Sequence, residues 1–107
     1  MKKIEFMGDS LEIIRGFSKE TSRDIGYQLD MIQRGEMPND WKPMKTIGPG
    51  VKEIRVKNRW GAFRTVYVIE GKQGLVVLHA FEKKTQKTSK KDIGLAKSRL
   101  KILKERK

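Results

Sequence analysis

Apolar residues recur along the chain at two spacings, one typical of helices and one typical of strands. Ile25, Leu29 and Ile32 follow the spacing i, i+4, i+7, which places them on one face of a helix. Ser18 suits the N-cap of this helix, because its hydroxyl can accept from a free backbone amide of the first turn. Gly35 suits its end, because glycine tolerates a positive φ. The pattern therefore predicts a helix between these two residues.

Two further helices are predicted, one on each side of this segment. The first begins at Asp9 or Ser10, either of which can cap it, and runs to about Phe17. The last begins at Ser89, and Asp92 three residues later gives an arrangement that resembles a capping box. Its predicted buried stripe consists of Ile93, Ala96, Leu100 and Leu103.

Four segments have the alternation or the β-branched and aromatic content of strands: residues 2–6, 51–56, 62–69 and 75–81. The last is continuously apolar, which favours the interior of a sheet. Turn residues at 58–61 and 70–74 favour antiparallel hairpins. Residues 36–50 contain all three prolines and are predicted to be an ordered loop. The order predicts one α+β domain over residues 1–107, with a mostly antiparallel sheet packed with two N-terminal helices and a C-terminal helix.

Charge is distributed unevenly between the two ends of the chain. Residues 1–40 contain 6 basic and 8 acidic side chains, whereas residues 41–107 contain 19 basic and 5 acidic ones. A basic half of this kind favours a polyanionic partner, with nucleic acid or the ribosome ahead of a membrane.

Cysteine is absent, and the chain has one histidine. This composition disfavours disulfides, thiolate chemistry and a metal site, and we expect no cofactor. The first ten residues lack the apolar core of a signal peptide, and no stretch approaches the roughly 18 apolar residues of a membrane span. We therefore expect a cytoplasmic protein without a membrane partner.

Basic residues gather on the last three predicted strands and just after them. Arg55 and Arg64 lie on the first two of these strands, and His79, Lys83 and Lys84 lie on and after the third. If the strands are neighbours, these side chains can converge, although the register decides whether they share a face.

Such a cluster suits cleavage of an RNA phosphodiester by the adjacent ribose 2′-hydroxyl, a reaction that requires no metal. Arginine can stabilise the charge that grows on the phosphorane-like transition state. A histidine or a lysine crowded by other cations can transfer the protons. Phe81 can stack on a base, an interaction that contributes roughly 1–3 kcal/mol.

Each of these residues also has a purely structural interpretation. His79 on an apolar strand can be a core histidine that is satisfied by hydrogen bonds. Arg64 within an apolar strand requires either a carboxylate partner or a functional anion, because an unpaired buried arginine is costly. Phe81 can belong to the core, and the lysines that follow it can form a solvated linker.

Three stretches together carry a family resemblance: WKPMKTIGPGVKEIRV, FRTVYV and VVLHAFEKKTQKTSKKDIGLAKSRL. Through them the chain resembles the phage-derived, HigB-like branch of the RelE/ParE toxin superfamily. The resemblance implies a RelE-like fold and a toxin of a type II toxin–antitoxin system, which cleaves messenger RNA on the ribosome without a metal. It also implies a helix-turn-helix antitoxin, similar to HigA, as partner.

The resemblance also suggests roles for individual residues. Arg64 matches the strand arginine placed for the scissile phosphate, Lys83 and Lys84 match the basic residues at the strand end, and His79 occupies the histidine position. The expected RNA-binding residues are Arg55, Phe81, Lys87, Lys90 and Lys91.

Two other functions remain open from the sequence. A non-catalytic RNA- or ribosome-binding module would use the same basic patch. A ParE-like member of the superfamily would act on DNA gyrase, since the fold alone does not fix the target.

Overall fold

The computed structural model describes residues 1–71 and 74–106, and it contains three helices and five strands. In chain order these are β1 (Ile4–Phe6), α1 (Ser10–Gly16), α2 (Lys19–Gln33), β2 (Trp41–Pro43), β3 (Lys52–Asn58), β4 (Gly61–Glu70), β5 (Gly74–Glu82) and α3 (Lys90–Glu105). Residues 72 and 73 of the predicted turn at 70–74 and Lys107 of the predicted last helix lie outside the described residues. No helix in the described part of the chain is long and apolar enough to cross a membrane.

The five strands form one sheet in the order β1-β5-β4-β3-β2. Strands β3, β4 and β5 form an antiparallel meander, β2 adds antiparallel to β3, and β1 adds parallel to β5. The predicted α+β class and the mostly antiparallel sheet are therefore confirmed, and the arrangement is consistent with a RelE-like fold. The interior position predicted for the third strand of the meander is also confirmed, because β5 lies between β1 and β4.

The prediction of a loop over residues 36–50 was wrong in part, because this segment contains strand β2. Trp41 pairs with Ile54, and Pro43 pairs with Lys52. A proline is compatible with this position because β2 is an edge strand, where one side of the backbone needs no partner. A strand of three residues is too short for alternation to reveal it.

The sheet is covered by helices on both faces. Helices α1 and α2 cover one face of the sheet. Their buried residues Ile14, Ile25, Leu29 and Ile32 form one core cluster with strand residues that include Tyr67. The other face packs against α3 through the predicted stripe, of which Ala96, Leu100 and Leu103 are buried and Ile93 is partly buried.

The helix ends follow the predicted chemistry at three of four places. Ser18 accepts from the Thr21 amide, and the Ser89 hydroxyl accepts from the Asp92 amide. Gly35, which follows the C-cap residue Arg34 of α2, has a φ of +87°. The exception is α1, where the carboxylate of Asp9 occupies the N-cap position without a capping hydrogen bond and binds Arg99 instead.

Strand β5 contains a bulge at Leu78. Val66 pairs with His79 whereas the next residue of β4, Tyr67, pairs with Val77, so Leu78 has no partner on β4. Leu78 belongs to the core beneath α3, and His79 binds a residue of α3, so both point to the same face. The bulge therefore changes which residues of β5 face α3.

Candidate functional site

Two arginines occupy the end of the sheet face that α3 packs against. Arg55 on β3 is the direct partner of Arg64 on β4, and Arg64 is the direct partner of Phe81 on β5. Directly paired residues point to the same side of a sheet. The register therefore places these three predicted site residues on one face, which the sequence alone left open.

A buried carboxylate lies between the two arginines. Glu53 is 2% exposed, and its two oxygens lie 3.6 Å from Arg55 Nε and 3.7 Å from Arg64 Nε. The carboxylate partner that an arginine in an apolar strand requires is therefore present. Sequence reasoning missed Glu53, although its position two residues before Arg55 on an alternating strand places both side chains on one face.

Lysines adjoin this arginine pair, which consists of Arg55 and Arg64. Lys83 and Lys84 line an open depression of about 540 Å³ together with Arg64. They begin the lysine loop, residues 83–89, which connects β5 to α3. The amide of Lys83 donates to Ala62 O at 2.8 Å, and this bond fixes the start of the loop beside β4. The depression is thus a basic, solvent-exposed site that a phosphate group can reach.

Phe81 and Lys87 line a smaller cavity of about 150 Å³ on the other side of the loop start. Phe81 is 8% exposed and belongs to the core under α3, so most of its side chain is closed to solvent. Phe81 also stacks on His79, with ring centroids 5.6 Å apart. This burial matches the structural interpretation of Phe81 more closely than that of an open stacking platform.

His79 is buried and has a partner at each ring nitrogen. Its Nε2 lies 2.7 Å from Asp92 Oδ1, and its Nδ1 lies 3.3 Å from Arg99 Nη1. Because a guanidinium can only donate, Nδ1 must accept, and the proton is therefore on Nε2 and is donated to Asp92. This arrangement ties α3 to β5, as expected of a core histidine that is satisfied by hydrogen bonds.

Arg99 and Asp92 extend the contacts of His79 to the N-cap of α3, to β5 and to the N-cap of α1. Arg99 donates to Leu78 O at 2.9 Å and to Asp9 Oδ1 at 2.7 Å. Its hydrogen bond holds the pKa of the Asp9 carboxyl below the ordinary value of 3.8. The Ser89 hydroxyl donates to Asp92 Oδ2 at 2.7 Å. Arg99 therefore binds the backbone of Leu78, the residue that has no pairing partner on β4.

The remaining two predicted RNA-binding lysines lie in the first turn of α3. Lys90 is exposed and lines neither the depression nor the smaller cavity. Lys91 lines a separate cleft of about 370 Å³ between α1 and α3, together with His79 and Asp92. The structure therefore brings together Arg55, Arg64, Lys83 and Lys84, with Lys87 beside them, and leaves Lys90 and Lys91 at the periphery.

Metal ligands are not grouped at this site. Within residues 1–71 and 74–106, no group of three or more histidine, cysteine, aspartate or glutamate side chains is arranged to hold a metal ion. The ionisable groups that line the depression are Arg64, Lys83 and Lys84.

Comparison with known proteins assigns the chain to a family. Residues 12–101 match the family model described as phage derived protein Gp49-like. The chain belongs to this Gp49-like family. The match covers α2, all of the meander and most of α3, and the family is RelE-like, which agrees with the coarser part of the resemblance. No curated protein gives a significant match.

Proposed function

We propose that this Gp49-like protein is the toxin of a type II toxin–antitoxin system and that it inhibits translation by cleaving messenger RNA on the ribosome. The observation that carries the proposal is the position of Arg64, opposite Arg55 and in one depression with Lys83 and Lys84. Three cations around one open depression, with Arg55 beside Arg64, suit a phosphodiester whose negative charge increases during cleavage.

In the proposed reaction, the ribose 2′-hydroxyl attacks the adjacent phosphorus and the 5′ oxygen leaves. The product is a 2′,3′-cyclic phosphate, so neither water nor a metal takes part in the cleavage step. Arg64 stabilises the charge on the equatorial oxygens, because its planar fork can bind two of them. Arg55, at its side, adds a second positive charge.

Two protons must move during this reaction, one from the attacking hydroxyl and one to the leaving oxygen. We assign these transfers to Lys83 and Lys84, the ionisable side chains that share the depression with Arg64. His79 is less suited to either transfer because both of its ring nitrogens are engaged inside the protein. We assign it instead to holding α3 on β5.

The proposed partners follow from charge and from the family resemblance. The net charge of +12 favours ribosomal RNA as the surface on which the toxin acts. A helix-turn-helix antitoxin of the HigA type is proposed as the neutralising partner, and the cytoplasm as the place of action. Lys87, Lys90 and Lys91 would contact phosphates outside the scissile bond.

The test is induction of the protein alone in a bacterial host, with mapping of new RNA 5′ ends across the transcriptome. Arg64→Ala is the test variant, and Arg34→Ala is its matched control, because Arg34 is an exposed arginine at the end of α2. We expect cuts within translated frames for the parent and for Arg34→Ala, and none for Arg64→Ala. Cleavage by a folded Arg64→Ala protein would refute the assignment.

Growth arrest without new RNA ends would support one of the two other functions. Intact messenger RNA with the protein bound to ribosomes would indicate a non-catalytic ribosome-binding module. Induction of the DNA-damage response would indicate a gyrase-targeting toxin. These two measurements distinguish the alternatives from each other and from the proposed nuclease.

A further inference from the structure

Glu53 is a buried acid on the same face of the sheet as the arginine pair. The ionisable residues described around the depression on this face are basic. Glu53 lies on β3, pairs with Val66 and points to the same side of the sheet as Arg55 and Arg64. A buried carboxylate is strongly disfavoured unless cations or hydrogen-bond donors compensate it. The two arginines supply this compensation, so the three residues form one charged group with a net charge of +1.

The contacts within this group are unusually long. Both Nε–Oε distances, 3.6 and 3.7 Å, exceed the range of a hydrogen bond. Among the described residues, Glu53 Oε1, Arg55 Nε and Arg64 Nε are accordingly buried without a hydrogen-bond partner. Glu53 thus attracts the two guanidinium groups by charge without saturating them.

Glu53 is near one nitrogen of each guanidinium, the Nε. Arg64 Nη1 donates weakly to Phe63 O at 3.3 Å. Arg64 also lines the depression together with Lys83 and Lys84. Without a central negative charge, two arginines directly opposite each other across a ladder would repel and separate.

We propose that Glu53 is a positioning residue for the phosphate site, and this proposal rests on the proposed nuclease function. It holds the Nε sides of Arg55 and Arg64 inward, so that their outer donors face the phosphate. It also limits the affinity of the site for phosphate, because its own charge repels a second anion. A site of this kind binds RNA moderately, orients it for cleavage and releases the product.

This role predicts opposite changes in binding and in cleavage. Removing the charge of Glu53 makes the arginine pair more attractive to any phosphate, but it also removes the group that fixes the direction of the two side chains. We therefore expect Glu53→Gln to bind inorganic phosphate about tenfold more tightly. We expect the same variant to cleave RNA with a lower KM and a kcat reduced at least tenfold.

Phosphate binding is measured first, with the purified full chain. Inorganic phosphate is added while the Nε–H resonances of the arginines are followed by NMR, for the parent protein, Glu53→Gln, Glu5→Gln and Arg64→Ala. Glu5→Gln is the matched control, because Glu5 pairs with Arg106 at 2.8 Å on another part of the surface. We expect the phosphate midpoint to fall for Glu53→Gln, to rise for Arg64→Ala and to stay unchanged for Glu5→Gln.

An unchanged or weaker phosphate midpoint in folded Glu53→Gln would overturn the proposal, as would a midpoint that does not depend on Arg64. If Glu53→Gln fails to fold, Glu53→Asp replaces it, because the shorter side chain keeps the charge and withdraws it from the arginines. The expected phosphate midpoint of Glu53→Asp then lies below that of the parent, and an unchanged or higher midpoint would overturn the proposal.

The cleavage measurement separates this proposal from the function on which it rests. If the parent protein cleaves no RNA on translating ribosomes, the nuclease function fails, whereas the phosphate titration still decides the role of Glu53. If the parent cleaves and Glu53→Gln loses kcat and affinity together with thermal stability, the residue is purely structural and the proposal is wrong.

Discussion

Arg55 and Arg64 are direct cross-strand partners on β3 and β4, so two positive side chains lie opposite each other on one face of the sheet. Like charges directly opposite each other destabilise a sheet. The buried Glu53 between them offsets this cost. The arrangement keeps two guanidinium groups close together at a surface where an anion can reach them.

Replacement of Arg64 by lysine tests whether the site needs the shape of arginine as well as its charge. Lysine keeps the positive charge but cannot bind two phosphate oxygens at once. We expect Arg64→Lys to reduce RNA cleavage about 100-fold while the melting temperature changes little. Cleavage on translating ribosomes is the measurement, with Arg34→Lys as control. Full activity of Arg64→Lys would show that charge alone is sufficient.

His79 should contribute mainly to stability. His79→Ala leaves Asp92 and Arg99 without the imidazole and opens a cavity under α3, so we expect a loss of about 2–4 kcal/mol in the free energy of unfolding. Urea denaturation of His79→Ala, Asp92→Ala and the double variant measures this loss. We expect the two changes to couple by about 0.5–3 kcal/mol. A stable His79→Ala protein that no longer cleaves RNA would instead assign a catalytic role to the histidine.

Asp9 should make stability depend on pH in the acid range. Its hydrogen bond from Arg99 lowers the pKa of the carboxyl in the folded protein, so the contribution is present above the ordinary pKa of 3.8 and is lost as the pH falls through the lower folded value. The contribution is small because the Asp9 side chain is about half exposed. Thermal melting of the parent and of Asp9→Asn between pH 2 and 6 should show their difference shrink at the acid end. A constant difference would contradict the assignment.

Tyr67 should make the protein sensitive to alkali. Burial raises the pKa of its phenol from 10.0 to about 12. The folded protein therefore favours the neutral phenol, and stability is lost as the pH rises from the unfolded pKa through the folded one. We expect Tyr67→Phe to weaken the loss of stability between pH 10 and 12, measured by urea unfolding at each pH. Equal alkaline loss in both proteins would contradict this role of Tyr67.

Local patterns were sufficient to predict much of the fold. The helical spacing of Ile25, Leu29 and Ile32 and the apolar run of β5 correctly placed the main layers, because burial of one face imposes these periods. The parallel pairing of β1 with β5 was not predictable in this way, since it joins residues about 70 positions apart. Strand β2 was missed because three residues cannot establish a period.

The candidate site was predictable in residue type but not in geometry. The sequence predicts a cluster of Arg55, Arg64, His79, Lys83 and Lys84 because these residues lie on, or just after, three strands that can be neighbours. The sequence could not show that Arg55 lies opposite Arg64, since pairing register depends on tertiary contacts. Glu53 was overlooked because an acid in an alternating strand resembles an ordinary solvent-facing residue until its partners are known.

The bulge at Leu78 divides β5 into two parts whose alternation is reversed. Before the bulge, the even-numbered Val76 and Leu78 face α3, and after it the odd-numbered His79 and Phe81 do. The first part belongs to the core, and the second leads to the lysine loop. Insertion or deletion of one residue in this strand would exchange the residues that face α3 with those that face α1 and α2 beyond that point, unless a further bulge absorbed the change as the one at Leu78 does. A change of two residues would preserve both faces without a further bulge.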